Sequence, residues 1–450
     1  MPSPPGRPAP KASPFAVAYA VGAVVLTGLA LAVPELYLVD LPAWTYIGAV
    51  LAAEAGGAGA TPWSVHSYPV PNTWATVLAA PLVAALGPAV SGRMMAAGLL
   101  ACGFAAAWAF GAAAGRGPAL PAVIASALIM SSSWWNGYLG FQIGVTLALA
   151  LGAVWLRRGR LPAPLLGTSA VALFFAHAVP FAAFALGAGL DALRRRDWTQ
   201  VVALVPAGAL TAWYVAARWA TAGGGFAETQ ATGGVLRLAA YKAYTALKLG
   251  PFQHPNGLDG RGVLASHPAL YWLGVALSAV FVAVLVGALV WGTVRLWRGR
   301  LPGRGGAAYG WMLVAVALAL PPFALNVVNP GERVLVMAAV VLLAMVPVPP
   351  RLLQTLGAAA LLFLADDVWA LWQQRAGVDA EQRREILTPR DRPARPFGEA
   401  VEAARADALP LLGHPVLLNA RFYDLVERGD LSAPAFDSGP LRPPAPPDGR

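Results

Sequence analysis

The stretch FAVAYAVGAVVLTGLALAV, from Phe15 to Val33, contains 19 residues and no charged side chain. A helix of this length and polarity can cross the hydrocarbon core of a bilayer. Arg7 and Lys11 precede it, and the run is longer than the apolar core of a cleaved signal peptide. We therefore predict an uncleaved first membrane span, preceded by a cytoplasmic N-terminus at residues 1–14.

Similar runs recur along the chain, in which 58% of the 450 residues are hydrophobic and 12% are charged. Charged residues gather between these runs because a charge at the bilayer centre costs at least about 2 kcal/mol. The composition excludes a soluble globular enzyme, a coiled coil and a disordered chain. It predicts an all-α polytopic membrane protein with about 9–12 transmembrane or re-entrant helices, interfacial helices and a small extracytoplasmic C-terminal tail.

The basic residues exceed the acidic ones by ten, but many arginines lie in short clusters beside apolar runs. This distribution follows the positive-inside rule, so we do not expect nucleic acid as a partner. The one cysteine, Cys102, excludes an internal disulfide and a cysteine-based metal site. Arginine greatly outnumbers lysine and alanine is abundant, which is typical of a GC-rich bacterial genome. We predict a multi-pass protein of the bacterial cytoplasmic membrane, within the cell envelope.

Three segments are predicted to be extracytoplasmic loops: residues 34–72, 218–268 and 326–333. The first of them contains acidic residues but no lysine or arginine. The membrane domain is predicted to cover residues 15–372, and the tail at residues 373–450 is predicted to lie outside and to be partly disordered. The other full spans are predicted at residues 73–90, 94–114, 200–217, 269–294, 307–325, 334–346 and 352–372, the first two joined by a cytoplasmic hairpin at Arg93.

Residues 118–156 conflict with the charge rule, since two full spans there would place Arg157, Arg158 and Arg160 outside. A re-entrant pair of half-helices that meets at Trp134–Tyr138 avoids the conflict. Non-helical backbone is tolerated at membrane depth where it lines a protein cavity.

The run at residues 161–190 has arginine clusters at both ends. We predict that it rises, breaks near His177 and Pro180, and returns, because both clusters are then cytoplasmic. His177 would consequently lie near the outer side.

Ionisable and amide side chains are scarce in the membrane region, and the predicted topology places several of them on the external side. A carboxylate beside cations at a bilayer surface suits transfer to a hydroxyl from a phosphate-linked donor. The carboxylate takes the proton, and the cations hold the leaving phosphate. The first predicted loop contributes Asp40 to these candidates. The candidates for donor or acceptor binding are Asn136, Gln142, His177, Lys242, Lys248, Glu332 and Arg333.

Each candidate also has an ordinary structural interpretation. Asp40 is well placed to cap a helix that starts at Pro42, and His177 can be a hydrogen-bonded interhelical histidine. The others have simple roles too: a local ion pair for Glu332 with Arg333, and contacts with anionic lipid head groups for Lys242 and Lys248.

The sequence contains neither a Walker-type phosphate loop nor a group of histidines with metal-ligand spacing. An ATP-driven pump within this chain is therefore disfavoured. Asp366 and Asp367 interrupt the last apolar run near its outer third, where two adjacent carboxyl groups either line a wet cavity or stay partly protonated.

Several short motifs resemble the GT-C class of integral-membrane glycosyltransferases, in particular its bacterial members. The segment DLPAW at residues 40–44 resembles an Asp-Leu-Pro-x-His stretch of that class, with Trp44 in place of the histidine. The resemblance covers roughly residues 15–370. Further likenesses are the pair Pro71–Asn72, the segment GYLGF at residues 137–141 and the segment FFAH at residues 174–177.

The resemblance implies an enzyme that moves a sugar from a polyprenyl-phosphate carrier to an extracytoplasmic acceptor. It implies Asp40 as the catalytic base, Asn72 among the donor- or acceptor-binding residues, and His177 and Arg333 near the donor phosphate. The expected partners are the lipid-linked donor and membrane lipids, and a divalent metal is left open.

Two other functions stay open. The first is a transporter or flippase for a lipid-linked or small polar substrate, although transporters often contain internal repeats and no convincing repeat is visible here. The second is a binding or assembly subunit built on the same fold.

Overall fold

The computed structural model of the chain describes residues 13–57 except 35, 37 and 39, and then residues 61–221, 235–251, 268–321, 323–324, 327–374, 425–426, 431 and 440–442. Nearly all regular structure in these residues is helical. Within the described residues, six helices are long and apolar enough to cross a membrane: Pro14–Ala32, Pro88–Ala113, Leu139–Arg158, Trp198–Trp219, Trp272–Arg298 and Pro350–Trp372. The predicted all-α polytopic membrane fold is therefore confirmed.

The helices are numbered here in chain order. They are α1 (Pro14–Ala32), α2 (Leu41–Gly56), α3 (Thr73–Leu86), α4 (Pro88–Ala113), α5 (Ala119–Ile124), which continues as a π-helical turn (Ala125–Ile129), α6 (Ser132–Trp135), α7 (Leu139–Arg158), α8 (Ala163–Ala176), α9 (Ala178–Arg195), α10 (Trp198–Thr221), α11 (Val235–Leu247), α12 (Pro268–Arg298), α13 (Arg304–Ala319), α14 (Pro330–Met345) and α15 (Pro350–Gln374).

Helices α1 and α4 cross side by side in opposite directions. The hydroxyl of Tyr19, near the start of α1, donates to the carbonyl of Phe104 in the second half of α4 at 2.5 Å. Arg93, near the start of α4, donates to the carbonyls of Leu31 and Val33 at the end of α1, at 3.4 and 3.2 Å. The arginine thereby satisfies carbonyls that the last turn of α1 leaves without helical partners.

The predicted position of the turn between these helices, at Arg93, is therefore wrong. The chain turns earlier, at Gly87, whose φ of +76° and following proline end α3 and begin α4. Helix α3 does not cross beside α4 but packs along α2, where Gly48 lies against Ala79. Arg93 consequently lies at the same end of the bundle as residues 34–72, which we call the loop end.

The predicted re-entrant pair at residues 118–156 is instead a hairpin with two unlike arms, an interrupted helical arm (Ala119–Trp135) and the candidate span α7. Its first arm packs against α4, because a β-carbon on Gly111 would lie 2.6 Å from Pro121 and one on Gly103 would lie 2.8 Å from Ile129. This arm leads back to the loop end, and α7 returns over 20 residues. Since α3 does not cross, the arginines after α7 reach the opposite end without a re-entrant segment.

The predicted break at His177 is present. His177 separates α8 from α9 and has an extended backbone, with φ −171° and ψ 137°. The other ends of the two helices meet, since Arg195 donates to the carbonyl of Gly159 at 3.4 Å and Arg160 lies 3.3 Å from Asp197. Both arginine clusters therefore lie at one end and His177 at the other.

The later helices keep this arrangement. Arg116, after α4, donates to the carbonyl of Ala344 at 3.3 Å, and Gly306 in α13 packs on Met345. Gly152 of α7 packs on Phe110, which ties α7 to the same region. We call this end the arginine end; it holds Arg116, Arg157, Arg158, Arg160, Arg194, Arg195, Arg196, Arg295, Arg298, Arg300, Arg304 and Arg351.

The predicted loops are shorter than expected. Helix α14 already begins at Pro330, so Glu332 and Arg333 lie in its first turn and not in the loop predicted at residues 326–333. Two short strands, β2 (Phe323–Ala324) and β3 (Val327–Val328), pair antiparallel before it. The described part of the loop predicted at residues 218–268 contains the helix α11.

Part of the tail is docked at the loop end. Strand β4 (Leu441–Arg442) pairs antiparallel with β1 (Ser64–Val65) of the first loop. The expectation of a partly disordered tail falls mostly on residues 375–424 and 443–450, and the cytoplasmic N-terminus mostly on residues 1–12; both lie outside the described residues.

Candidate functional site

The site is built on a tight turn at the loop end. Asn136, Gly137 and Tyr138 connect α6 to α7, and Gly137 has a φ of +69°. A β-carbon on Gly137 would lie 2.7 Å from the backbone nitrogen of Leu41, so only glycine lets the start of α2 approach this closely. The contact places Asp40 beside Tyr138.

Two hydrogen bonds fix the start of α2 on this turn. The amide of Asp40 donates to the carbonyl of Asn136 at 3.0 Å. The indole Nε1 of Trp44 donates to the carbonyl of Gly137 at 3.1 Å. Trp44 thus has a structural contact at the position where the resemblance expects a histidine.

Arg333 lies in the middle of the site. Its side chain is 8% exposed, and its guanidinium carbon lies 4.2 Å from the centre of the Tyr138 ring and 5.8 Å from that of Phe141. Nη1 lies 2.6 Å from Nε2 of His177. Nε has no hydrogen-bond partner among the described residues. A buried guanidinium with a free donor has unused capacity for an anionic ligand.

His177 faces two donors. The backbone amide of Val179 donates to Nδ1 at 3.1 Å, and Arg333 approaches Nε2. A neutral imidazole has one acceptor nitrogen, and the other carries a hydrogen. Only one of the two contacts can therefore be a full hydrogen bond. An oxyanion that accepted from Arg333 would remove this competition.

Asp40 is partly exposed and lies within the electrostatic reach of Arg333. Burial raises the pKa of the Asp40 carboxyl to about 7, and the positive charge of Arg333 lowers it in part. A carboxyl with a pKa near neutrality suits a general base, because proton transfer is most effective when the pKa is close to the working pH.

A buried ion pair borders the site. Nζ of Lys248 lies 3.2 Å from a carboxylate oxygen of Glu332, and both side chains are buried. The hydroxyl of Ser132 donates to the other carboxylate oxygen. Together with Asp40 and Arg333, this pair acts electrostatically on the phenol of Tyr138. The structural interpretation of Glu332 changes accordingly, because its partner is Lys248 and not its neighbour Arg333.

Helix α11 is attached to the loop end by further polar contacts. The hydroxyl of Tyr241 donates to Oδ1 of Asn329 at 2.6 Å. Lys242 donates to the carbonyls of Ala317, at 3.1 Å, and Leu320 at the end of α13. Lys242 therefore caps a helix end, whereas Lys248 is buried in the protein rather than directed at lipid head groups.

The amide candidates divide into two groups. Asn72 lies at the site, because it packs against Gly140 in the first turn of α7. A β-carbon on Gly140 would lie 2.7 Å from Oδ1 of Asn72 and 2.8 Å from the carbonyl oxygen of Ala176, the neighbour of His177. Its Oδ1 has no partner in the described part of the chain. Gln142 is buried and donates to the hydroxyl of Ser133 at 2.6 Å, which is a structural contact.

Several long helices begin around Arg333. They are α2, α3, α7, α9 and α14, whose first residues are tied to one another by the contacts of Asn136, Gly140 and His177. The first turn of a helix exposes amide groups with a partial positive charge. Together with Arg333, these helix ends create a positive field that favours a phosphate or another oxyanion.

Asp367 does not belong to the group of polar residues around Arg333. It is fully buried, one of its oxygens accepts from Nε1 of Trp135 at 3.1 Å, and the other has no partner among the described residues. Asp366 is partly exposed. In the described ranges there is no group of three or more His, Cys, Asp or Glu side chains that could hold a metal ion.

Of the residues predicted from the sequence, the structure brings Asp40, His177 and Arg333 together, with Asn72 and Asn136 at their edge and with Glu332 and Lys248 beside them. Gln142 and Lys242 lie near these residues, but their polar groups are engaged in structural contacts. Tyr138 and Ser132 were missed. Tyr138 stands in the polar-aromatic break at residues 134–138, and that break is the one signal that pointed to it.

The fold and the site define a polytopic α-helical membrane protein with a charged, partly buried site at one end of its bundle. No protein-family model, curated protein or solved structure matches the chain.

Proposed function

We propose that the protein is a membrane glycosyltransferase that moves a sugar from a polyprenyl-phosphate donor to the hydroxyl of an extracytoplasmic acceptor. The observation that supports it most is the position of one carboxyl, Asp40, within the field of a buried cation, Arg333, whose Nε has no hydrogen-bond partner among the described residues. Transfer from a phosphate-linked sugar requires these two groups: a base for the acceptor and a cation for the leaving group.

In the proposed reaction, the carboxylate of Asp40 accepts the proton of the acceptor hydroxyl. The acceptor oxygen forms a bond to the anomeric carbon as the bond from this carbon to the phosphate oxygen breaks. The lipid phosphate leaves with the electron pair. Arg333 and the surrounding helix N-termini stabilise its negative charge, and His177 holds the guanidinium in place.

The arginine end would face the cytoplasm, because arginine clusters beside spans remain on that side. The N-terminus and the start of α1 would then be cytoplasmic, and the site would open to the outer surface of a bacterial cytoplasmic membrane. This orientation fits a lipid-linked donor, whose phosphate lies at the level of the head groups.

The experiment compares the wild-type protein with Asp40→Asn in lipid nanodiscs, with a panel of polyprenyl-phosphate hexoses and pentoses and with glycan and lipid acceptors. We expect a loss of transfer of about 10²- to 10⁴-fold, the usual contribution of a general base. The matched control is Asp191→Asn at the arginine end, where the carboxylate pairs with Arg194 and Arg195. Full activity of Asp40→Asn would refute the proposed role of this residue.

Unfolding would not explain the loss in Asp40→Asn. Burial raises the pKa of Asp40 from 3.8 to about 7, so the stability that this group contributes falls as the pH rises between these values. A neutral amide removes that loss, and we expect the variant to be at least as heat-stable as the wild type at pH 8. If no donor is turned over and the polyprenyl-phosphate sugars are instead moved across the bilayer of proteoliposomes, the protein is a transporter and not a glycosyltransferase.

A further inference from the structure

The C-terminal tail reaches back to the helix that carries Asp40. Strand β4 pairs with β1, and the amide of His66 donates to the carbonyl of Pro440 at 2.9 Å. Nε1 of Trp63 donates to the carbonyl of Leu431 at 3.1 Å. Two separate parts of the tail are thus hydrogen-bonded to the first external loop.

Apolar contacts extend this docking to α2. Leu441 is fully buried in a cluster with one face of α2. Ala43, Tyr46, Ile47 and Val50 form this face, and they too are fully buried. The spacing of these four residues is that of a single helix face. The same cluster includes Trp63, Leu51, Leu425, Val426 and Leu431.

Other positions of α2 meet the bundle. Trp44 binds the carbonyl of Gly137, and the amide of Asp40 binds that of Asn136. Gly48 lies against Ala79 of α3. Helix α2 is therefore held between the bundle and the tail, and Asp40 is the residue immediately before its first turn.

We propose that the docked tail, through Leu441, is a positioning element that fixes α2 and thereby holds Asp40 against the turn at residues 136–138. The proposal rests on the proposed function insofar as Asp40 is the base. Leu441 does not touch the reacting atoms, and it acts only through α2.

The tail can have this role without supporting the membrane bundle. The six candidate spans all lie between residues 14 and 372, before the tail begins. The Leu441 cluster contains side chains of α2, the first loop and the tail, and no residue of these spans. Undocking the tail should consequently loosen α2 and leave the spans folded.

The test uses the full-length protein in nanodiscs and compares Leu441→Asp with the conservative Leu441→Met. Hydrogen exchange is followed for residues 41–56, with residues 139–158 as an internal reference. We expect Leu441→Asp to accelerate exchange in residues 41–56 and to leave it unchanged in residues 139–158, and Leu441→Met to behave as the wild type. If Leu441→Asp does not accumulate, Leu441→Ala is used in its place.

Kinetic measurements distinguish a role of Leu441 in positioning Asp40 from a role in protein stability alone. We expect kcat of Leu441→Asp to fall by up to about 100-fold, because small displacements of a catalytic group have effects of this size. KM for the donor should change little, since Arg333 is not on α2. The acid limb of the pH profile should move to lower pH as water reaches Asp40.

Unchanged exchange in residues 41–56 of Leu441→Asp would overturn the proposal, and so would faster exchange accompanied by unchanged kcat. Full activity of Asp40→Asn is a different result. It would refute the proposed function alone, and the exchange comparison would still decide whether the tail holds α2.

Discussion

Nη1 of Arg333 lies 2.6 Å from Nε2 of His177, although the two residues are 156 positions apart in the chain. The contact joins the first turn of α14 to the break between α8 and α9. The guanidinium also lies over the ring of Tyr138, so the contacts with His177 and Tyr138 together set the position of the charge in the site.

Replacement of His177 tests this contact. We expect His177→Phe to raise the donor KM by about 10- to 100-fold, because a hydrogen bond to a charged group contributes about 1.5–3 kcal/mol. His177→Gln offers an amide oxygen to Arg333 and should stay within a few-fold of the wild type. The measurement is initial-rate kinetics over a range of donor concentrations; equal KM values for the two variants would contradict the assigned contact.

The pH profile should reflect Asp40. Because burial raises the pKa of this carboxyl to about 7, we expect log kcat to rise with pH up to about 7 and then to level off. Arg333→Gln removes the charge that lowers this pKa and should move the midpoint to higher pH, in addition to slowing the reaction. Arg333→Lys keeps the charge and should leave the midpoint near that of the wild type. If the midpoint is the same in Arg333→Gln as in the wild type, the electrostatic coupling of Asp40 to Arg333 is contradicted.

The Lys248–Glu332 pair should be important for stability. Lys248→Met leaves a carboxylate buried without its cation, so we expect the free energy of unfolding to fall by about 3–5 kcal/mol. Glu332→Gln keeps an acceptor for Ser132 and removes the charge, so the double variant should recover most of the loss. Chemical denaturation in detergent measures both; equal losses in the single and the double variant would show that the pair is not coupled.

Gly137→Ala should displace Asp40. A β-carbon at this position would lie 2.7 Å from the backbone nitrogen of Leu41, and φ is +69°. Gly57→Ala is the matched control, because Gly57 has a φ of +65° but open space around it. Both variants should show the backbone cost of about 1–2 kcal/mol, measured by thermal unfolding. Only Gly137→Ala should also reduce kcat, and an equal effect of both on kcat would mean that the close approach at Gly137 is irrelevant.

The sequence predicted those site residues whose types are rare in the membrane region. Charged residues are rare among apolar spans, so Asp40, His177 and Arg333 stand out, and the structure brings them together. Tyr138 could not be singled out, because an aromatic ring near a membrane surface is ordinary. The contacts of Lys242 and Lys248 depend on where α11 docks, which no local pattern encodes.

The topology shows a different limit. The positive-inside rule predicts a cytoplasmic position for Arg93. Its guanidinium, however, donates to the carbonyls at the end of α1, so this arginine does not mark the cytoplasmic side. The glycine and proline at positions 87 and 88 were the better signal for the turn. This one error forced the re-entrant interpretation of residues 118–156, because an extra pass had to be compensated.

The pairing of β1 with β4 joins the loop between α2 and α3 to residues 441–442. During synthesis, the six candidate membrane spans of the described residues are therefore made before the segment that covers α2 emerges from the ribosome. A nascent or prematurely terminated chain would contain the whole bundle and yet lack the final support beneath Asp40. Under the proposed function, Asp40 would then be held in place only after residues 441–442 have been translated and have paired with β1.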